Sequence, residues 1–417
     1  MRRLAPAMLL ALTVALIALA SLAVMRVSAA APAPDLGLDT PALFVAVPGD
    51  PAAIPTPRVG SLTLAQSNGV RVADRDGDAA RPIGSVAKTM TALVVLDRHP
   101  LRAHELGPEL TMTAVDAELY LQAVREQGSA VPVRAGEQWH ERDLLLALML
   151  PSANNVADSL ALWVSGDRGA FVELLNERAA AMGLSRTHFD DPSGFSAATV
   201  SSTRDLVALG TAALRNPVLA DIVSTRGAVL PDGVRTENLD VLLSEEPGWL
   251  GIKTGWTPSA GGCLLFAVQR SFARETPPVV VVGAVVAQPA DASYDAAHPE
   301  LGGAVRAAQQ AASAFFDGEV AVHTADIAPT ITGSVVSAWG PRSDVLAVPV
   351  RDDVVVLRRG ESLAVTATLM QLSLPAAGGA TVGRLTGVAR SGARLSWTLR
   401  IARSVGGPSA WWKLTHD

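Results

Sequence analysis

Lysine is nearly absent from this chain of 417 residues. Of its 34 Lys and Arg residues, only Lys88, Lys253 and Lys413 are lysine. An arginine side chain keeps its proton in proteins, whereas a buried lysine can lose its proton and then act as a base. A chain that prefers arginine this strongly is expected to retain lysine where the chemistry needs an amine. Lys88 and Lys253 are therefore the first candidates for a functional site.

Cysteine is represented by Cys263 alone, which excludes an internal disulfide and a cysteine-based metal site. The seven histidines are scattered, and no His-Glu-x-x-His motif occurs among them. We therefore expect no metal and no other cofactor. The net charge of -6 gives no indication of nucleic-acid binding.

The N-terminus carries a targeting signal. Arg2 and Arg3 precede an uncharged, mostly apolar run over residues 4–25, and Arg26 and a stretch of small residues at 27–30 follow. This pattern is typical of a secretory signal peptide. The run is also long enough to span a bilayer, so residues 1–31 are either cleaved or retained as a membrane anchor. Both alternatives place the remaining chain outside the cytoplasm.

Composition divides the remaining chain into three parts. Residues 32–57 are rich in Pro and Ala and are predicted to be a linker. Residues 58–318 combine many helical patterns with apolar strands near both ends, which predicts an α+β domain with an antiparallel sheet flanked by helices. Residues 319–417 alternate apolar and polar side chains, which predicts a small all-β domain resembling a β-sandwich.

A Ser-x-x-Lys motif lies at residues 85–88, directly before an apolar run that predicts a helix. Residues three positions apart share one face of a helix, so Ser85 and Lys88 are expected to lie side by side. A serine hydroxyl is a weak nucleophile until a neighbouring base takes its proton. Lys88 could be that base if burial and the nearby cation of Lys253 keep it neutral. Taken alone, a serine at a helix start is more commonly an N-cap.

Two more motifs follow in order, Ser-x-Asn at residues 152–154 and Lys-Thr-Gly at residues 253–255. Ser152 could pass the proton to the leaving amine, while the side chain of the asparagine holds Lys88 and a substrate amide. The second motif could bind a substrate carboxylate from a strand edge, where its glycine allows close approach of the substrate backbone. The residues concerned are Asn154, Lys253, Thr254 and Gly255.

The ordered triplet of motifs resembles the D-alanyl-D-alanine carboxypeptidase family of low-molecular-weight penicillin-binding proteins. Pro192-Ser193-Gly194 and residues 202–206 also look like family signatures, and the resemblance covers roughly residues 58–318. It implies a fold like that of β-lactamases and penicillin-binding proteins. It also implies that a serine acyl-enzyme removes the terminal D-alanine from peptidoglycan stem peptides, and that β-lactams acylate the same serine.

The resemblance also assigns roles to residues outside the three motifs. The backbone N–H groups of Ser85 and Trp256 would form the oxyanion hole, and Arg204 would help to hold the substrate carboxylate. Some relatives carry a further arginine after the second strand of a late hairpin, but residues 287–290 of this chain contain none. This departure weakens the prediction of carboxypeptidase over endopeptidase action.

Three alternatives remain from the sequence. A DD-endopeptidase would use the same motifs on cross-linked peptides. A β-lactamase would need a deacylating base, and Glu173, which superficially resembles one, falls inside a predicted core helix. An inactive cell-wall-binding protein would rely on its β domain, although such a protein would have no need to retain Lys88 and Lys253 in an arginine-rich chain.

Overall fold

The computed structural model describes residues 4–39, 43–50, 53–329, 331 and 333–416. Arg2 and Arg3 of the predicted targeting signal, and residues 40–42, 51 and 52 of the predicted linker, lie outside this range. The helices are α1 (Leu4–Ser28), α2 (Lys88–Arg98), α3 (Ala114–Arg125), α4 (Glu141–Met149), α5 (Asn154–Ser165), α6 (Arg168–Ala181), α7 (Thr203–Arg215), α8 (Pro217–Val223), α9 (Leu242–Glu245), α10 (Pro299–Asp317) and α11 (Ala410–Thr415), with a 3₁₀ helix at Gly84–Ala87.

The strands form two groups along the chain. The first group is β1 (Asp35–Leu38), β2 (Leu43–Ala46), β3 (Ser61–Gln66), β4 (Arg71–Arg75), β5 (Arg81–Pro82), β6 (Glu109–Thr111), β7 (Gln138–His140), β8 (Val200–Ser201), β9 (Gly227–Val229), β10 (Arg235–Glu237), β11 (Trp249–Thr257), β12 (Gly261–Arg270) and β13 (Val279–Gln288). The second is β14 (Glu319–His323), β15 (Gly333–Val336), β16 (Ser343–Pro349), β17 (Val354–Arg358), β18 (Ser362–Leu369), β19 (Thr381–Val388) and β20 (Arg394–Ile401).

The chain divides into two compact units. One unit runs from Pro51 to Val320, and the other combines Met1–Asp50 with Ala321–Asp417. The first unit contains a five-stranded antiparallel sheet in the order β11-β12-β13-β3-β4, which places β11 at one edge. Strands β12 and β13 form an antiparallel pair, and the turn at Asn68-Gly69 connects β3 to β4.

Strand β12 shows why this sheet is covered on both faces. Successive side chains of a strand point to opposite faces, and both sets are apolar here. Cys263 and Leu265 join one apolar cluster with the helices that follow Ser85. Leu264 and Phe266 join a second cluster with the Ala-rich helix α10. The predicted α+β architecture, an antiparallel sheet flanked by helices, is confirmed.

The second unit is built mainly from strands. Its largest sheet has seven strands in the order β1-β15-β16-β20-β19-β18-β2, and β14 pairs separately with β17. The region after residue 318 is predicted to be all-β and to resemble a β-sandwich; its described residues form these strands and the short helix α11.

The linker predicted for residues 32–57 is wrong where β1 and β2 lie. These strands form the two edges of the seven-stranded sheet, paired with β15 and β18 respectively. The physical reason is that side chains in this short segment alternate between buried and exposed positions, as they do in a strand, although the surrounding residues are rich in Pro and Ala. Val45 and Val47 are buried, whereas Phe44 at the sheet edge is exposed. Segments this short bury enough surface for stability only when they join an existing sheet.

Candidate active site

Ser85 lies in the 3₁₀ helix that precedes α2, rather than in the first turn of the α-helix itself. Val86, Ala87 and Met90 are fully buried and fix this segment in the core. Neither helix start has a side-chain cap. The N-cap interpretation of Ser85 is therefore wrong, and its hydroxyl is available to Lys88.

The Lys88 amine has three polar neighbours. Its Nζ lies 2.8 Å from Ser85 Oγ, 2.7 Å from Asn154 Oδ1 and 2.9 Å from the backbone oxygen of Ser193. The amide and carbonyl oxygens can only accept hydrogen bonds, whereas a hydroxyl can also donate. A neutral amine would give its two N–H groups to Asn154 and Ser193, and its lone pair would then face the Ser85 hydroxyl. This is the geometry that a general base for Ser85 requires.

The surroundings of Lys88 favour this neutral form. The side chain is completely buried, and burial together with the positive charge of Lys253 holds the pKa of Lys88 well below its usual range. The carboxylates of Asp191 and Asp158 act in the opposite direction on the pKa of Lys88, with smaller effect. Desolvation therefore dominates, as expected for an amine that has lost contact with water.

Ser152 occupies the turn between α4 and α5, and its backbone is strained. Its φ of 68° lies in the left-handed region, which non-glycine residues rarely adopt. Its Oγ is buried, with no hydrogen-bond partner among the described residues. Strained backbone and an unpaired buried hydroxyl both cost stability, and such features concentrate at functional sites. Asn154 begins α5, so the same turn supplies both residues.

The Lys-Thr-Gly motif lies on the edge strand β11. Lys253 and Thr254 are almost fully buried, and Lys253 Nζ lies 3.5 Å from Thr254 Oγ1. Burial lowers the pKa of Lys253 to about 7, and the nearby carboxylate of Asp240 opposes this shift. Asp240 is itself buried, with a pKa raised to about 6 by desolvation, and accepts a 2.8 Å hydrogen bond from Trp249 Nε1.

The sequence suggested that Gly255 makes room for the substrate backbone, but the structure places the backbone of the Ser85 segment against it. A methyl group at this position would lie 2.8 Å from the Ile83 backbone oxygen and 2.9 Å from the backbone nitrogens of Ser85 and Val86. Glycine is therefore required because the segment that carries Ser85 packs directly on β11. A methyl group on Gly84 would likewise lie 3.0 Å from the Trp256 backbone nitrogen. The two nitrogens assigned to the oxyanion hole thus belong to directly packed segments.

Arg204 is not brought to these residues. Its guanidinium forms ion pairs with Asp74, at 2.8 Å, and with Asp78. The assignment of Arg204 to substrate binding is corrected accordingly: both carboxylates lie beside the start of α7, and they hold the side chain on this surface. The guanidinium is therefore already paired with two carboxylates on this surface.

The Ser193 carbonyl and Asp240 were not identified as site residues from the sequence. The signature Pro192-Ser193-Gly194 did mark the first segment, but a backbone acceptor leaves no trace in side-chain identity. Asp191 Oδ2 fixes this segment by accepting hydrogen bonds from the backbone N–H and hydroxyl of Ser193, at 3.2 Å and 2.6 Å. For Asp240, no signal in the sequence distinguished it from other acids.

Comparison with known proteins agrees with this geometry. The family model described as D-alanyl-D-alanine carboxypeptidase matches residues 58–284. A D-alanyl-D-alanine endopeptidase of Pseudomonas aeruginosa is 32% identical, over 59% of this chain and 81% of that protein. The D-alanyl-D-alanine carboxypeptidase DacB2 of Mycobacterium tuberculosis is 33% identical, over 50% of this chain and 69% of that protein.

Solved structures give the same result. The crystal structure of the Streptomyces K15 DD-transpeptidase superposes with a TM-score of 0.54 at 26% identity, covering 63% of this chain and all of that chain (100%). With the ordered motifs converging on Ser85 and the family model matching more than half of the residues, the chain belongs to the D-alanyl-D-alanine carboxypeptidase family of serine peptidases.

Proposed function

We propose that this enzyme removes the terminal D-alanine of peptidoglycan stem peptides through an acyl-enzyme on Ser85, with Lys88 as the general base. The observation that carries these roles is the set of three contacts around the Lys88 amine, two of which can only accept hydrogen bonds. β-Lactams would acylate the same serine, and no cofactor takes part in the proposed reaction.

In the acylation step, Lys88 Nζ takes the hydroxyl proton while Ser85 Oγ bonds to the carbonyl carbon of the peptide bond. The backbone N–H groups of Ser85 and Trp256 stabilise the negative oxygen, a contribution that is typically about 10²–10³-fold in rate. Ser152 then relays this proton from Lys88 to the amine nitrogen as the C–N bond breaks and D-alanine leaves. Water attacks the ester, releases the shortened peptide and restores the Ser85 hydroxyl.

Substrate binding is assigned to the edge strand β11. An extended peptide can pair with the free edge of a sheet through its backbone, and β11 has such an edge. The charged form of Lys253, with the hydroxyl of Thr254 beside it, would bind the terminal carboxylate. Asn154 would orient a substrate amide in addition to holding Lys88.

The reaction is placed outside the cytoplasm, where peptidoglycan is found. Helix α1 supports this location, since its exposed apolar stretch Ala7–Ser28 is long enough to cross a membrane. As a signal peptide or as an anchor, such a helix delivers the rest of the chain to the outer side.

The nucleophile can be tested without a mutation. Trypsin does not cleave before proline, so the fragment of residues 76–88 stays intact across Arg81-Pro82, and its only hydroxyl side chain is Ser85. The full-length protein in detergent is treated with benzylpenicillin, digested and analysed by mass spectrometry. We expect one penicilloyl group on this fragment, stable for minutes. An adduct on another fragment, or none, would contradict the proposal.

The lifetime of the adduct also tests β-lactamase activity. A β-lactamase would release the penicilloyl group within seconds while penicillin is consumed. Glu173 gives no support to this alternative, because it is exposed on α6. A stable adduct is the expected result.

Endopeptidase action is the second candidate, favoured by a specific observation. Where some relatives carry an arginine, Gln288 is buried, and its Nε2 donates to the Val59 and Val286 backbone oxygens, at 2.8 Å and 3.0 Å. This leaves Lys253 and Thr254 to hold a terminal carboxylate. Rates on a stem peptide ending in D-Ala-D-Ala and on a cross-linked dimer would separate the two activities, and we expect the terminal peptide to be preferred.

Replacing Arg204 by alanine is expected to have little effect on catalysis. The side chain is committed to Asp74 and Asp78, and partly exposed ion pairs contribute only about 0–1 kcal/mol to stability. We expect kcat/KM for a D-Ala-D-Ala peptide to stay within about 3-fold of wild type, with a similar melting temperature. If the variant instead binds the peptide about 100-fold more weakly, the carboxylate-binding role of Arg204 is restored.

Replacing Asp240 by asparagine is expected to change the pH dependence of substrate binding. Lys253 must be protonated to bind a carboxylate, so KM rises as the pH passes about 7, the pKa of Lys253. The Asp240 carboxylate raises this pKa, so without it KM begins to rise at lower pH and is higher than in wild type at pH 8. Asp97→Asn is the control, because it makes the same exchange in an ion pair with Arg178, away from Lys253. Identical pH profiles of KM in wild type and Asp240→Asn would contradict this role.

A further inference from the structure

The end of the apolar helix α1 is bound by the short helix α11 of the same compact unit. Lys413 Nζ donates hydrogen bonds to the backbone oxygens of Val27, at 2.7 Å, and Ala29, at 2.8 Å. Arg26 Nη1 donates in return to the Leu414 backbone oxygen, at 3.3 Å. Lysine is among the preferred residues at a helix C-terminus, where unpaired carbonyls concentrate negative charge. Lys413 is also one of only three lysines in the chain.

These contacts fall on the segment that a signal peptidase would have to cut. Cleavage among the small residues 27–30 would release Val27, and with it at least one of the two carbonyls that Lys413 binds. The bond that follows Val27 is also held in helical conformation, since α1 continues to Ser28. Lys413 therefore keeps both of its hydrogen bonds, to the backbone oxygens of Val27 and Ala29, only while α1 remains attached.

An aromatic cluster surrounds the same point. Trp411 is 75% exposed, and the Trp412 ring packs edge-on against Trp339, with centroids 5.2 Å apart, and stacks on His416. Tryptophan and lysine are residues that concentrate at the boundary between lipid and water. The 22 residues Ala7–Ser28 would span about 33 Å of bilayer, and they end at this cluster.

We propose that α1 is retained as a membrane anchor and that Trp339, Trp411, Trp412 and Lys413 form a contact with the lipid headgroup region where α1 leaves the bilayer. The second unit is thereby docked on the outer face of the membrane rather than tethered loosely to it. Lys413, with Arg26, adds attraction for anionic headgroups, which strengthens the contact on an anionic membrane. This inference rests on the extracytoplasmic location proposed above and is independent of the catalytic roles.

Retention of the anchor is tested by the intact mass of the full-length chain expressed in a secreting bacterial host and extracted from carbonate-washed membranes. The expected mass includes residues 4–28. In Lys413→Ala, we expect a several-fold larger fraction cleaved near residue 29, because the helix end is released, whereas Lys413→Arg keeps a donor and remains mostly uncut. A wild-type protein that begins near Ala30 and lies in the soluble fraction would overturn the proposal.

The lipid contact is tested by tryptophan fluorescence in nanodiscs made with brominated phosphatidylcholine. Bromines near the headgroups should quench a distinct fraction of the wild-type fluorescence, and bromines deep in the chains should quench less. Trp411→Phe should lose much of the shallow quenching, and Trp163→Phe, which alters a ring stacked on His99 in the other unit, should retain it. Equal quenching in wild type and Trp411→Phe would overturn the headgroup contact, even if penicillin still acylates Ser85.

Discussion

Lys88→Arg is expected to reduce the rate of Ser85 acylation by about 10³-fold or more, within the 10²–10⁴-fold contribution typical of a general base. Arginine keeps the positive charge but cannot give up its proton, so Ser85 Oγ would face a donor instead of a base. The measurement is the rate of penicilloyl adduct formation, with circular dichroism to confirm folding. Ser85→Ala, which has no hydroxyl to acylate, should form no adduct and gives the baseline of the measurement.

Lys253→Arg is the matched control, because it makes the same exchange at a position where charge rather than basicity is needed. A guanidinium at this position can still bind the terminal carboxylate of the substrate, but it differs from an ammonium group in shape. We therefore expect the main effect to be substrate binding weakened by about 10-fold. Lys88→Gln, which buries no charge, serves as a second variant if Lys88→Arg does not fold. A folded Lys88 variant that keeps more than about a tenth of the wild-type acylation rate would exclude Lys88 as the base.

The pairing of Ser85 with Lys88 could be predicted because helical spacing is a local property. Three positions separate the two residues, and either a 3₁₀ or an α-helical turn brings them to the same face. The bond from Lys88 to Asn154, 66 positions away, was expected from the order and chemistry of the motifs, because no local pattern links residues so far apart. Both contacts, from Lys88 to Ser85 and from Lys88 to Asn154, could be predicted from residue types, because an amine, a hydroxyl and an amide each have a definite chemistry.

Features that depend on distant backbone were not predicted. Strand β1 pairs Asp35 with Val336, and nothing in a four-residue segment specifies a partner so far along the chain. The Ser193 carbonyl is supplied by the main chain, which every residue possesses. Arg204 was misassigned for a related reason: its partner Asp74 lies 130 positions earlier, and the sequence alone does not show which acid an arginine meets. In each case the missing information is a tertiary contact rather than a local propensity.

Gly255→Ala is expected to lower the acylation rate about 10²-fold, the scale of loss that follows from displacing a reacting group by about 1 Å. The added methyl group would lie 2.9 Å from the backbone nitrogens of Ser85 and Val86. Backbone atoms cannot rotate away as a side-chain end can, so β11 and the Ser85 segment must separate. Overpacking of this kind should also reduce the free energy of unfolding by about 1–3 kcal/mol. Gly406→Ala is the control, since a methyl group there would contact nothing within 4 Å.

The choice of substrate separates two explanations of Gly255. If the glycine exists to admit the substrate backbone, as the sequence suggested, the alanine variant should lose far more activity on a long stem peptide than on a small β-lactam. If it exists because the Ser85 segment packs on β11, both substrates should be affected equally, since the nucleophile and the two oxyanion donors move for each of them. The contacts of Gly255 with Ile83, Ser85 and Val86 favour equal losses. Acylation by both substrates within about 3-fold of wild type would contradict the packing explanation, and a loss confined to the peptide would restore the original one.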